Sequence, residues 1–336
     1  MVTLRDIAKE AGVSVMTVSN VINGNTKKVS LETAEKVRAI AQRLNYVTNE
    51  TARSLSRRNS NIIAVILRGE KGQNALLNPY NAAMAGTIIG QIQQQGYYSM
   101  VNIMNSETDI LQTLRSWSVE GAICLGMFDN EIEKIYEAAS VPLVFIDSYS
   151  NVRRLSNVGI DDYRGGQLAA SYLIEHGHQA CAFVGPPTGH AGVVRHRLNG
   201  FCDELKKNGL TLQHQFVVNS DVDTNEINQI GHEIALLQDE ITGIFVASDQ
   251  IASFLVNSLW QHGVQVPDQI SIIGFDDLIL CNQLTPPLTT ISQNLTQKAQ
   301  LAVDLIFRQM KTPNAPAESI ILDTALVERA SVKRLK

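Results

Sequence analysis

From Thr3 to Leu44 the apolar positions recur every three or four residues in three short runs. They are Leu4, Ile7, Ala8 and Ala11, then Val18, Val21 and Ile22, then Ala34, Val37, Ile40, Ala41 and Leu44. That spacing predicts three amphipathic helices. Thr3, Ser14 and Ser30 stand just ahead of them, where a hydroxyl can accept from a first-turn N–H. Asp6 suits the positive end of the first helix dipole. Gly12 permits a sharp turn between the first two helices, and Asn23-Gly24 ends the second. Two capped helices joined by a glycine turn, followed by a third, make a helix-turn-helix pattern.

Beyond residue 60 the pattern changes to short apolar runs alternating with helical periodicity. The runs are Ile62–Leu67, Tyr97–Met104, Gly121–Leu125, Leu143–Ile146, Ala180–Val184, Gln215–Val218, Gly243–Ala247 and Ile270–Phe275. Between them lie amphipathic stretches such as Ala82–Gln95, Arg164–Glu175, Leu198–Lys207 and Ile251–His262. Continuous apolar runs suit strands covered on both faces. Their alternation with helices predicts a parallel, doubly wound α/β body.

The body also repeats itself. Residues 141–147 (VPLVFID) resemble 266–276 (VPDQISIIGFD), and 121–125 (GAICL) resemble 243–247 (GIFVA). Two similar halves with a cleft between them would account for this. In open α/β sheets ligands sit beyond the carboxyl ends of the strands. Asp147, Ser248, Asp249 and Asp276 stand at those ends. Carboxylates and a hydroxyl are acceptors suited to a polyol, while Asp249, directly ahead of a helix, is better read as its cap.

Charge separates the two regions. Residues 1–60 hold ten Lys/Arg and five Asp/Glu, a balance of +5, and the rest of the chain carries −10. A basic head on an acidic body points to a polyanionic partner for the head alone. In the second helix, Val15, Met16, Thr17, Ser19 and Asn20 lie off the apolar face, at the end that a helix-turn-helix unit puts into the major groove. Asn20 can pair with adenine, and Val15 or Met16 can touch a thymine methyl. Ser14, Thr17 and Ser19 can donate to phosphates. The polar, basic link 49–60 carries one large apolar side chain, Leu55. It reads either as a solvated linker or as a short helix that wedges Leu55 into a minor-groove base step.

Length and composition exclude other classes. The 336 residues suggest two or three domains, and 44% hydrophobic with 18% charged residues suits a soluble protein with a sizeable core. A transmembrane run and a secretory leader are both lacking, so no membrane association and a cytoplasmic location are expected. Cys124, Cys181, Cys202 and Cys281 are scattered and read as reduced, mostly buried residues. The seven histidines show no metal-ligand spacing, and His176 and His178 flank a glycine where a helix-end role is expected. GxxxxGK, HExxH and GxSxG motifs are absent, as is a GxGxxG after the first strand. Accordingly no catalytic residue, metal or cofactor is assigned, and the chain reads as a non-enzyme.

The stretch TLRDIAKEAGVSVMTVSNVING resembles the DNA-binding signature of the lactose- and galactose-repressor family of bacterial transcription regulators. Ala52-Arg53-Ser54-Leu55 is similar to that family's hinge. Family-like motifs continue through the body at Asn78-Pro79-Tyr80, Val158-Gly159-Ile160-Asp161-Asp162, His176-Gly177-His178, Arg197-Leu198-Asn199-Gly200-Phe201, Ala247-Ser248-Asp249, Ile273-Gly274-Phe275-Asp276-Asp277 and Pro287-Leu288-Thr289-Thr290-Ile291. The resemblance implies a small all-α helix-turn-helix head (1–48) and a hinge (49–60). It also implies a periplasmic-binding-protein-like body of two doubly wound parallel-sheet subdomains, 61–160 with 292–323 and 161–291 with 324–336. Crossings between them are expected near Ile160, Ile291 and Asp323.

The same resemblance implies a homodimer, most simply a repressor, on a near-palindromic double-stranded operator, released or recruited allosterically by a small molecule in the cleft. It places Thr3, Ser14, Val15, Met16, Thr17, Ser19, Asn20, Asn23, Tyr46, Asn49, Ala52, Arg53, Leu55 and Ser56 at the DNA. It places Tyr80, Asn81, Leu125, Asp147, Arg197, Ser248 and Asp276 at the effector. Arg197 can offer a planar fork to two ligand oxygens, or can instead hold the cleft wall through a salt bridge. Departures matter here. Asn81 stands where many members carry a second aromatic, and Leu125 where some carry a polar residue. Residues 185–196 (GPPTGHAGVVRH) lack an arginine at the place where purine-responsive members have one. Ser56 is polar where small or basic residues are common. A sugar or sugar derivative is the favoured effector, with a nucleobase or a protein partner as alternatives. A sugar-binding transport protein would explain the body but not the basic head. No leucine heptad follows the body, so a coiled-coil tetramer is not expected.

Overall fold

A computed structural model describes residues 2–47, 60–69, 74–104, 107–127, 129–148, 155–187, 192–219, 223–312 and 315–335. The chain divides into two compact units, Met1–Ser60 and Asn61–Lys336.

The first unit holds α1 (Leu4–Ala11), α2 (Val15–Ile22) and α3 (Leu31–Arg43). Thr3 and Asp6 form a reciprocal capping box, and Ser14 and Ser30 accept from the N–H groups of Thr17 and Thr33. Gly12 takes a φ of 71° at the end of α1, a conformation open to glycine without strain. Ile7, Ala8, Ala11, Val18, Val21, Ala34, Val37, Ile40 and Ala41 form one small core, with Ile22, Leu44 and Tyr46 half-buried against it.

The second unit is built on two six-stranded sheets. The first contains β1 (Ile62–Arg68), β2 (Tyr98–Met104), β3 (Gly121–Leu125), β4 (Leu143–Ile146), β5 (Asn157–Ile160) and β11 (Ser319–Leu322). Its order is β11-β5-β4-β3-β1-β2. The second contains β6 (Cys181–Gly185), β7 (Leu212–Val217), β8 (Gly243–Val246), β9 (Ser271–Asp276), β10 (Thr289–Ser292) and β12 (Ala325–Val327), ordered β12-β10-β9-β8-β6-β7. The orders correspond place for place, so β3 matches β8 and β4 matches β9, the pairs whose sequences resemble each other. The chain changes sheet at Asp161, at Gln293-Asn294 and at Asp323-Thr324.

Helices cover both sheets. The first lobe carries α4 (Pro79–Gln94), α5 (Glu107–Ser116), α6 (Asp129–Ala138) and α11 (Leu295–Lys311). In the second are α7 (Asp162–Glu175), α8 (Val193–Lys207), α9 (Thr224–Leu236) and α10 (Asp249–Gln261). Central strands β3, β4, β6, β8 and β9 are buried along their whole length.

Three differences from the sequence reading have physical causes. The sheets are not wholly parallel, because β12 pairs antiparallel to β10. Strands β5, β10, β11 and β12 are absent from the expected set. β5 and β10 carry Asn157 and Thr289-Thr290, polar groups that are buried because distant partners bond them, and β11 and β12 are partly exposed edges. The strand expected at Gln215–Val218 spans Leu212–Val217, an edge that alternates half-buried and exposed positions. At the end of α7, His176 forms the cap and its Nδ1 meets the Tyr172 carbonyl at 2.8 Å, while His178 Nε2 donates to the Lys333 carbonyl at 3.0 Å.

Candidate functional site

Between the two lobes, at the carboxyl ends of both sheets, lies a cavity of about 210 Å³. Asn78, Tyr80 and Asn81 reach it from the start of α4, where Asn78 caps and Pro79 begins the helix. Leu125, Gly126 and Met127 follow β3, and Asp147 follows β4. From the other lobe come Pro186, Gly192, Val193, Val194, Arg197, Ala247, Ser248 and Asp276, with Gln293 at the crossing. All seven expected effector-facing residues therefore meet in one place.

Asp147 and Asp276 occupy matching positions in the two halves. Both leave their strands with positive φ, 53° and 119°. Such backbone costs on the order of 1–3 kcal/mol and persists where surrounding structure enforces it. Here it turns two carboxylates toward the same space. The Tyr80 hydroxyl donates to Asp147, and loss of hydration together with that neighbouring carboxylate pushes the phenol well above its usual range.

Arg197 is buried and held by several partners. Its Nε donates to Asp162 at 2.7 Å and an Nη to the Ala247 carbonyl at 2.7 Å, and it lies 3.7 Å from Asp276. Its guanidinium also stacks 3.6 Å from the centre of the Phe275 ring. Burial works against its charge, but Asp162 and Asp276 outweigh burial and raise its pKa. Arg197 thus holds the cleft wall and faces the cavity at once. Burial pushes Asp276 well above the usual carboxylate range, opposed by Arg197.

The remaining expected contacts carry structural duties as well. Asn81 donates from Nδ2 to the Ala75 carbonyl at 3.0 Å, and the Ser248 hydroxyl accepts from Ile251 N at 3.3 Å. Ser248, not Asp249, is the cap of α10, because its extended backbone aims the hydroxyl at the first turn. Asp249 does not line the cavity. It is wholly buried, accepts from Thr290 Oγ1 at 2.6 Å and Leu278 N at 2.9 Å, and burial raises its pKa to about 6.

On the head, Val15 and Met16 are exposed (Met16 by 75%), side by side at the start of α2. The hydroxyls of Ser14 and Thr17 lie 2.9 Å apart beside them, and Asn20 is half-buried one turn on. Thr3 is exposed, in its capping box. Asn23 donates to the Ser19 carbonyl at 2.8 Å and to its hydroxyl at 3.2 Å, and Tyr46 packs on the head core. Asn49, Ala52, Arg53, Leu55 and Ser56 lie outside the described residues.

Residues 3–49 match the pattern of bacterial regulatory proteins of the lacI family, and residues 170–332 match a periplasmic binding protein-like domain. The chain is 33% identical over 349 residues to the ribose operon repressor of Haemophilus influenzae, covering 100% of both proteins. The chain belongs to the lacI family. It is also 31% identical over 339 residues to the HTH-type transcriptional regulator MalR of Clostridium butyricum, covering 98% of each. A lac repressor dimer bound to operator and the anti-inducer ONPF matches with a TM-score of 0.86 at 27% identity, over 99% of each chain. A lacI-family regulator from Enterococcus faecalis with bound ribose matches with a TM-score of 0.69 at 28% identity, over 82% of this chain and 100% of that one. This lacI-family member is accordingly a DNA-binding transcriptional regulator with a helix-turn-helix head and a periplasmic-binding-protein-like body. Among the described residues, no helix is long and apolar enough to cross a membrane.

Sequence reasoning missed Met127, Asp162, Gln293 and Lys298. For Lys298 a signal existed. It takes a core position in the apolar register Leu295, Ala299, Ala302, Val303 and Ile306 of α11, where a charge must find buried partners.

Proposed function

We propose that this regulator is a cytoplasmic, non-enzymatic repressor that binds a near-palindromic operator as a homodimer. Its DNA affinity is set by a sugar or sugar derivative held in the inter-lobe cavity. The observation that carries this reading is the convergence of Asp147, Asp276 and Arg197, one set from each lobe, on a single enclosed space. Polar groups set among apolar walls such as Leu125, Met127, Val193 and Val194 suit a small ligand with hydroxyls on its edges and C–H groups on its faces. The cavity is small beside the roughly 300–1,000 Å³ typical of drug-sized ligands. A ribose operon repressor among the relatives and a ribose-bound structural neighbour favour the same class. Among the described lining residues Tyr80 is the one aromatic ring, which speaks against a base stacked between two rings.

In the head, the exposed start of α2 supplies the readers. Val15 and Met16 offer apolar contact to thymine methyls, Asn20 a bidentate amide to adenine, and Ser14 and Thr17 hydroxyls to phosphate. The sequence 49–60 serves as the hinge, with Leu55 as its minor-groove wedge.

A thermal-shift screen of the full chain against pentoses, hexoses, disaccharides and nucleobases tests the effector class. A ligand bound at 100 times its Kd stabilises the native state by about 2.7 kcal/mol. A sugar is expected to raise the midpoint and nucleobases to leave it unchanged. A shift with nucleobases alone would overturn the reading.

A further inference from the structure

Lys298 is fully buried, does not line the cavity, and its ammonium ties the first lobe to the chain crossing. It donates to Asp147 Oδ1 at 2.8 Å and Oδ2 at 3.0 Å, lies 3.3 Å from the Tyr80 hydroxyl, and donates to Gln293 Oε1. An ammonium has only donors. Gln293 must therefore turn its carbonyl oxygen toward Lys298, and its NH₂ faces the other way, donating to Asp276 Oδ1. The reversed amide would set NH₂ against an ammonium and oxygen against a carboxylate, two repulsive contacts. Asp147, Lys298, Gln293 and Asp276 thus form a relay from the end of β4 to the end of β9 through the chain crossing.

The relay also settles the charge of the cavity floor. Lys298 compensates Asp147, and Arg197 divides its charge between Asp162 and Asp276. Neither of these described cations is left over for a ligand anion, and Asp147 has both oxygens engaged. A phosphate or carboxylate placed there would lose its hydration and meet carboxylates in return. A ligand ammonium would compete with Lys298 for the same partner.

We propose that Lys298 is a positioning residue that sets the ligand class: through Asp147 and the orientation of Gln293 it adapts the cavity to an uncharged polyol and against acidic or amino sugars. This rests on the sugar reading above.

The test uses the full chain and matched probes: D-ribose with ribose 5-phosphate, and D-glucose with glucosamine, glucuronate and glucose 6-phosphate. The wild type is expected to show a thermal shift with a neutral sugar and none with its charged counterparts. Lys298→Met frees Asp147, so binding of the neutral sugar falls tenfold or more and the ratio of amino to neutral sugar rises at least tenfold. Gln293→Glu, which adds negative charge beside Lys298, is expected to move that ratio the same way and serves if Lys298→Met does not fold. An unchanged ratio in both variants, or a wild type shifted by a sugar phosphate or uronate, would overturn the proposal.

A ligand-free measurement separates this idea from the sugar reading. Lys298→Met and Asp276→Asn are expected to shift the urea midpoint non-additively, and the non-additivity should fall by half or more in a Gln293→Leu background. If no sugar shifts the wild type, the sugar reading and the class assignment fail together, while the midpoints still decide the relay. Additive midpoints in both backgrounds would remove the relay.

Discussion

Arg197 and Asp276 face the same cavity but carry different loads. Removing Arg197 takes its 2.7 Å ion pair from Asp162, which is 2% exposed, and its bond from the Ala247 carbonyl. Breaking a buried pair in this way costs about 3–5 kcal/mol. Arg197→Met should therefore lower the unfolding free energy extracted from a urea titration by that much, whatever it does to ligand. Asp276 is already penalised by burial, so Asp276→Asn should change stability far less. It should nevertheless weaken the stabilising sugar at least tenfold by calorimetry, about 1.4 kcal/mol. Equal losses of stability in the two variants would contradict this division. The residues were legible to different degrees. Asp276 and Asp147 stand at strand ends where any sequence scan looks. The double duty of Arg197 depends on Asp162, Ala247 and Phe275 being brought to it by three different elements, which no local pattern displays.

Helices α7 and α8 set where Arg197 points. They cross with their backbones in contact at two glycines. A Cβ on Gly166 would lie 2.0 Å from the Arg197 carbonyl oxygen, and one on Gly200 1.9 Å from that of Tyr163. Gly200→Ala must push α8 away from α7, and overpacking of this kind costs typically about 1–3 kcal/mol. Because Arg197 is three residues earlier on α8, sugar affinity should fall along with the thermal midpoint. A variant with unchanged midpoint and affinity would show that α8 can shift without moving the site. Elements with continuous apolar runs, such as β3, β4, β8 and β9, were plain in the sequence, since burial on both faces leaves an unbroken stretch. β10 was not, because Thr289 is satisfied by Ser331 and Thr290 by Asp249, partners some 40 residues away in the chain. The partners of Lys298 were hidden for the same reason: Tyr80, Asp147 and Gln293 come from α4, the end of β4 and the crossing.

At the scale of the molecule, two lobes of matching strand order share one cavity, and a separate basic head carries an exposed pair of apolar readers. The body repeats and the charge split were visible from sequence, and so was the family signature. The relay across the crossing was not, because it exists only once both lobes are folded. A ligand can move the DNA-binding equilibrium only by binding its two states differently. Coupling of about 1–3 kcal/mol, the usual range, would change operator affinity roughly 5–150-fold. The most direct measurement is a fluorescence-anisotropy titration of the full chain against a duplex selected from a randomised library. It is run at fixed salt, with and without the sugar that raises the thermal midpoint. The sugar should displace the midpoint of the operator curve at least fivefold, and Asp276→Asn should abolish that displacement. Superimposed curves at saturating sugar would contradict the claim that cavity and head are coupled.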